Sequence, residues 1–153
     1  MTNENPTADF DPRNWIWGVD DSQPRLLHTM IRVNDFDASL RFYRDGLGMK
    51  VLMKFEVESR RVSAMFIGFG DFYTGGVIEL TRQWDVTQPY THGTHYGHVS
   101  VGVPDVEAMV AKLESMGVEI ETRPTKLKPG APLVAFVKDP DGCSVELIQT
   151  LRR

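Results

Sequence analysis

The stretch Leu26–Val51, LLHTMIRVNDFDASLRFYRDGLGMKV, decides the plan of the chain, because its outline returns 70 residues later as Tyr96–Ile120, YGHVSVGVPDVEAMVAKLESMGVEI. Each copy reads as a strand leading into a helix. Counted from the histidine, a valine falls at the fifth step (Val33, Val103) and an aspartate at the seventh (Asp35, Asp105), so His28 and His98 hold equivalent positions. Alternation places Leu27, Thr29, Ile31 and Val33 on one strand face and His28, Met30 and Arg32 on the other. In the second copy Val99, Val101 and Val103 oppose His98, Ser100 and Gly102.

Working outward, Asn34 or Asp35 is placed to cap a helix with the apolar stripe Phe36, Leu40, Tyr43 and Leu47, ended by Gly46 and Gly48. That stripe is expected to cover the Ile31 and Val33 face. Strands are expected at 49–57, 61–69 and 77–83, making the first module βαβββ. The second repeats the plan, with a helix from Asp105 showing Val106, Val110 and Leu113 and stopping at Gly117, then strands at 118–122, 133–138 and 143–149. An Asp139-Pro140-Asp141-Gly142 turn joins the last hairpin. The fold class is α+β: one domain, 26–153, built of two tandem modules at about 26–83 and 96–149. An arm, 1–25, precedes it, in which Trp15, Ile16 and Trp17 are candidates for pinning to the domain or to a partner chain.

The 153 residues carry a formal charge of -4, which argues against a nucleic-acid binder, since that role needs a basic face to displace counterions from phosphates. The single cysteine, Cys143, cannot form an internal disulfide and suits a reducing cytoplasm. No apolar run is long enough to cross a bilayer, and the arm, with three prolines and five acidic residues, has no secretory h-region.

Chemistry enters with two glutamates. Glu79 lies 51 residues after His28 and Glu146 lies 48 after His98, each in the last strand of its module, in VIEL and SVEL. Alternation turns all four side chains away from the helix-facing side, among the small or polar inner positions Thr81, Ser100, Gly102 and Ser144. A lone histidine or glutamate in a strand is ordinarily a hydrogen-bonded filler. Two imidazoles and two carboxylates at equivalent positions make a divalent-metal site, which leaves two of six octahedral positions for water or substrate. His92 and His95 in THGTHYGH fall outside the repeat and read as solvated loop histidines, and Cys143 falls by parity on the aliphatic side.

LLHTMIRVNDFDASLRFY with LGMKV, then VIELT, YGHVSVGVPDV and AFVKDPDGCSVELI together resemble glyoxalase I, lactoylglutathione lyase, of the vicinal oxygen chelate superfamily, in order and over residues 26–148. The resemblance implies paired βαβββ modules in a cupped mixed sheet with helices outside. It implies a homodimer whose modules pair between chains, and a metal held by His28, Glu79, His98 and Glu146. The implied reaction isomerises the methylglyoxal–glutathione hemithioacetal to S-lactoylglutathione through an enediolate stabilised by the cation. Glu146 would move the proton between neighbouring carbons, with Glu79 as ligand or as base on the opposite face. Glutathione is then the co-substrate, with Arg32, Gln83 and Lys126 or Lys128 as candidate contacts. Two positions depart from the family pattern: Gln83 stands where asparagine is usual, at a thiol contact, and Cys143 where an aromatic is usual. Short connections resemble the compact bacterial type that prefers nickel or cobalt, with zinc also acceptable to such a donor set. The alternatives in the same fold are an acyl-thioester epimerase, which ordinarily carries glutamine at the position of Glu79, an Fe(II) dioxygenase with two histidines and one carboxylate, and a metal-free drug-binding protein.

Overall fold

The computed structural model describes residues 26–72 and 75–150. The arm 1–25, with Trp15, Ile16 and Trp17, lies outside the described residues. The elements run β1 (Thr29–Arg32), α1 (Phe36–Leu40) continuing as a π-helical segment (Arg41–Gly46), β2 (Lys50–Val57), a 3-10 turn (Glu58–Arg60), β3 (Val62–Gly68), β4 (Val77–Gln83), β5 (His98–Val103), α2 (Val106–Ser115), β6 (Ile120–Lys126), β7 (Leu133–Lys138) and β8 (Ser144–Gln149). They build two four-stranded mixed sheets of matching order, β1-β4-β3-β2 and β5-β8-β7-β6. In each, the edge strand that begins at or just after the histidine pairs parallel with the glutamate-bearing strand, and the other pairs are antiparallel. None of the helices among the described residues is long and apolar enough to cross a membrane.

The chain divides into two compact units: one runs to Phe36 and resumes over Gly48–Gln88, and the other joins Asp37–Leu47 to the chain from Pro89 onward. The first is a sheet with Ala64, Met65, Phe66, Ile67, Ile78 and Leu80 buried in and beside its central strands. Arg61, expected to begin β3, instead has φ 52°, a left-handed conformation that ends the 3-10 turn and delays the strand to Val62. Its guanidinium holds both Asp85 oxygens at 2.5 and 2.6 Å and lies 5.4 Å from the Trp84 ring centre.

In the second unit, Asp105 caps α2 by accepting from the Ala108 N–H at 2.9 Å. Val106, Val110 and Leu113 are buried, as the spacing requires, and Gly117 at φ 84° follows the helix C-terminus. The first helix departs from its expected stripe. Its buried positions are Ser39, Phe42, Tyr43, Gly46 and Leu47, because the helix widens and the Leu47 N–H reaches back five residues to the Phe42 carbonyl at 3.0 Å. Contacts group this segment with the second unit rather than with the β1 face it was expected to cover. The Tyr43 hydroxyl donates to Asp139 Oδ2 at 2.8 Å, and Lys112 Nζ donates to the Asp45 and Gly46 carbonyls at 2.8 and 2.7 Å. β6 starts at Ile120 and runs on through Pro124 to Lys126, beyond the expected end, and a proline is admissible there because β6 is an edge strand. Lys126 is therefore a strand residue facing Leu133 in register, whereas Lys128 is in the loop that follows.

Candidate metal centre

Register fixes where the four candidate ligands stand. Glu79 on β4 is opposite Met30 of β1 and Phe66 of β3, and His28 immediately precedes β1 on the same alternation as Met30. Glu146 on β8 is opposite Ser100 of β5 and Phe136 of β7, with His98 two residues before Ser100. A histidine thus reaches a glutamate diagonally across a parallel pair in both sheets, and the contacts agree. His28 Nε2 lies 3.0 Å from Glu79 Oε2, and His98 Nε2 lies 3.2 Å from Glu146 Oε2.

Each pair sits at a partly open surface. The His28 and Glu79 side chains are 26% and 20% exposed, and those of His98 and Glu146 42% and 12%. Thr81 Oγ1 donates to Glu79 Oε1 at 3.2 Å, while Ser100 Oγ donates to Glu146 Oε2. Two phenylalanines that residue type alone did not single out complete the pattern. Phe66 meets the His28 ring edge-on at 5.2 Å and 83°, and Phe136 meets His98 at 5.4 Å and 78°. The signal for them was cross-strand: each faces its glutamate directly, which only the hairpin register reveals.

The donor set fits a divalent cation. Two donors in adjacent positions on an octahedral ion with bonds of about 2.1 Å stand about 3.0 Å apart, and both histidine–glutamate pairs have that spacing. Each unit holds two of the four candidate ligands; among the described residues no group of three or more histidine, cysteine, aspartate or glutamate side chains is placed to hold a metal. The two candidate pairs are alike.

The other candidates are distributed as follows. Arg32, exposed, lies opposite Thr81, and Gln83, half-buried, lies opposite Val62, both in the first unit. Lys128 is exposed in the second. His95 is exposed, but His92 is half-buried with Nε2 3.8 Å from Cys143 Sγ. Cys143 is buried, and burial, then nearby Asp139, pushes its thiol up to about 12, which favours the protonated thiol over the thiolate. A cleft of about 520 Å³ opens beside His98, lined in part by His92, Phe136, Glu121, Lys138 and Ser144. Glu121 accepts from Ser144 Oγ at 2.5 Å and pairs with Lys138 Nζ at 2.9 Å, and these two bonds hold its carboxyl below the usual range.

Residues 25–147 match the Glyoxalase/Bleomycin resistance protein/Dioxygenase superfamily, and the chain belongs to that family. Within it the chain is 43% identical over 128 residues to the probable lactoylglutathione lyase of Vibrio cholerae serotype O1, covering 84% of this chain and 92% of that protein. The lactoylglutathione lyase of Haemophilus influenzae is 39% identical over 125 residues, 82% of this chain and 92% of its own. Among solved structures, glyoxalase I of Zea mays is 36% identical with a TM-score of 0.78; the match covers 84% of this chain and 45% of the maize protein, so the chain spans about half its length. The trypanothione-dependent glyoxalase I of Leishmania major is 42% identical with a TM-score of 0.74, over 83% of this chain and 87% of that one.

Proposed function

We propose that the chain is a metal-dependent glyoxalase I, converting the hemithioacetal of methylglyoxal and glutathione to S-lactoylglutathione. The observation that carries this reading is the duplicated histidine–glutamate pair at metal-ligand spacing, one in each sheet, in a chain whose relatives bear the name lactoylglutathione lyase. His28 and Glu79 of one chain with His98 and Glu146 of a second copy would complete one site, and a homodimer would hold two. Nickel is the preferred ion, with cobalt or zinc alternatives, since the nitrogen and oxygen donors accept each of them. The single buried thiol and a glutathione co-substrate suit a cytoplasmic setting.

A divalent cation held by these four side chains supplies positive charge that favours ionisation of a C–H bond beside a carbonyl. Glu146 is the base: its carboxylate takes the proton from one substrate carbon and returns it to the neighbouring one, so no net proton is consumed. Ser100 donates to the Glu146 oxygen nearest His98 and so fixes the carboxylate's rotation during the transfer. Glu79, steadied by Thr81, holds the opposite face. Phe66 and Phe136 stand edge-on against the two imidazoles and hold their rings in orientation. Arg32, Gln83 and Lys128 are the proposed contacts to the carboxylates and amides of glutathione.

The test is to strip the metal, restore nickel, cobalt or zinc in turn, and follow thioester formation from methylglyoxal with glutathione. Turnover should return with at least one ion; silence with all three would overturn the reading.

A further inference from the structure

His98 has two ring nitrogens, and its contact with Glu146 assigns a role to one of them. Nε2 lies 3.2 Å from Glu146 Oε2, so in the site proposed above Nε2 is the nitrogen turned to the ion, and the neutral ring that binds through it keeps its proton on Nδ1. A metal-bound imidazole donates that second N–H to a carboxylate, a backbone carbonyl or a water. Its aromatic partner, Phe136, offers no acceptor oxygen. Of the side chains that line the cleft beside His98, Glu121 alone is a carboxylate. Its strand is the wrong one at first sight, since β6 is the edge opposite β5. A register slip re-aims the side chain: Ile120 pairs with Val137 and Thr122 with Phe136, which leaves Glu121 bulged between them. Its Oε2 accepts from Ser144 Oγ at 2.5 Å, and its Oε1 pairs with Lys138 Nζ at 2.9 Å. Ser144 is the register partner of His98, and Lys138 faces Ser144. The two bonds thus carry a carboxylate from the far edge to the strand beside the imidazole. After the bonds from Ser144 and Lys138, His98 itself adds to the lowering of the Glu121 carboxyl.

We propose that Glu121 is a positioning residue for His98: its carboxylate holds, through one water in the cleft, the Nδ1–H of that imidazole and so keeps Nε2 presented to the metal. The inference rests on the metal-dependent reading above and adds the outer contact of one ligand. No direct bond joins the two side chains among the described residues, whereas two hydrogen bonds of about 2.8 Å in series span roughly 5 Å, and a cleft of about 520 Å³ has room for the water between them. Capacity allows it. Each carboxylate oxygen spends one lone pair on Ser144 or Lys138 and retains another. Those two bonds also fix the rotation of the carboxylate, so the acceptor is in place before an ion arrives. The first module lacks the device. Its bulged residue is Leu52, between the pairs Val51 with Ile67 and Met53 with Phe66, and Gly68 and Val77 stand where Lys138 and Ser144 stand in the second. That bulge can give His28 no carboxylate.

Proton NMR of the cobalt-loaded protein tests this, because a paramagnetic ion shifts the exchangeable ring protons of its imidazole ligands clear of all others. The His98 signal is the one missing from His98→Ala. In Glu121→Leu that proton should exchange with solvent about tenfold faster than in wild type while the His28 signal keeps its rate, and cobalt affinity should fall roughly 10- to 100-fold. Glu121→Gln keeps an acceptor oxygen and loses only the charge, so its His98 proton should exchange within about threefold of the wild-type rate. A His98 proton that exchanges no faster in Glu121→Leu, an unchanged cobalt affinity in that variant, or exchange in Glu121→Gln as fast as in Glu121→Leu would overturn the proposal. Failure of the metal-dependent reading shows separately, as wild type that takes up no cobalt.

Discussion

Glu146 is asked to do two things, bind a cation and carry a proton, and one substitution separates them. Glu146→Gln keeps a side-chain oxygen for the ion and loses the basic site, so bound metal should stay near wild type while turnover falls by about 10²- to 10⁴-fold. Metal analysis alongside thioester formation checks both halves of the statement. Ser100→Ala, which removes the hydroxyl that orients Glu146, should lower kcat/KM severalfold at unchanged metal content. At this scale the candidate ligands were legible because a repeat marks them twice. Phe66 and Phe136 were not, since nothing in their own residue type sets them apart until the hairpins align them with Glu79 and Glu146.

Among the elements, the segment that closes on Asp139 carries the most testable energetics. Asp139 Oδ1 accepts from the Asp141 and Cys143 amides at 3.0 and 2.7 Å, and Oδ2 accepts from Tyr43. Tyr43→Phe leaves that buried oxygen without its donor and should cost about 1–3 kcal/mol, read from the denaturant midpoint. Burial raises the Asp139 carboxyl above the usual aspartate value, against the opposing hydrogen bonds from Tyr43 and the Cys143 amide. The folded state therefore binds this proton more readily than the unfolded chain, and the contribution of Asp139 to stability falls as pH rises from about 4 through the raised value. Wild type should lose stability relative to Asp139→Asn across that window and run parallel to it above; a wild type that gains stability relative to the variant as pH rises contradicts the assignment. The stripe of α2 could be read from spacing because that helix is regular. The stripe of α1 could not, since the Leu47-to-Phe42 bond adds a residue to the turn and rotates the buried face onto Phe42 and Gly46.

At the scale of the whole molecule, the βαβββ plan followed from the repeat and the mixed strand pairing from the family resemblance, but each half-site is defined inside its own sheet, so periodicity is silent on which halves meet. Exchange between copies makes a quantitative prediction. A chain carrying His28→Ala with Glu79→Ala and one carrying His98→Ala with Glu146→Ala should each be inactive alone. Unfolded and refolded together in equal amounts, they should recover about a quarter of wild-type activity, since half the dimers are mixed and each mixed dimer has one complete site. The claim beneath all of this is a single ion bound by both histidines and both glutamates. Metal-edge X-ray absorption of the nickel-loaded protein should find two imidazole nitrogens on a six-coordinate ion in wild type and one in each of His28→Ala and His98→Ala. An imidazole count that either substitution leaves unchanged would contradict it.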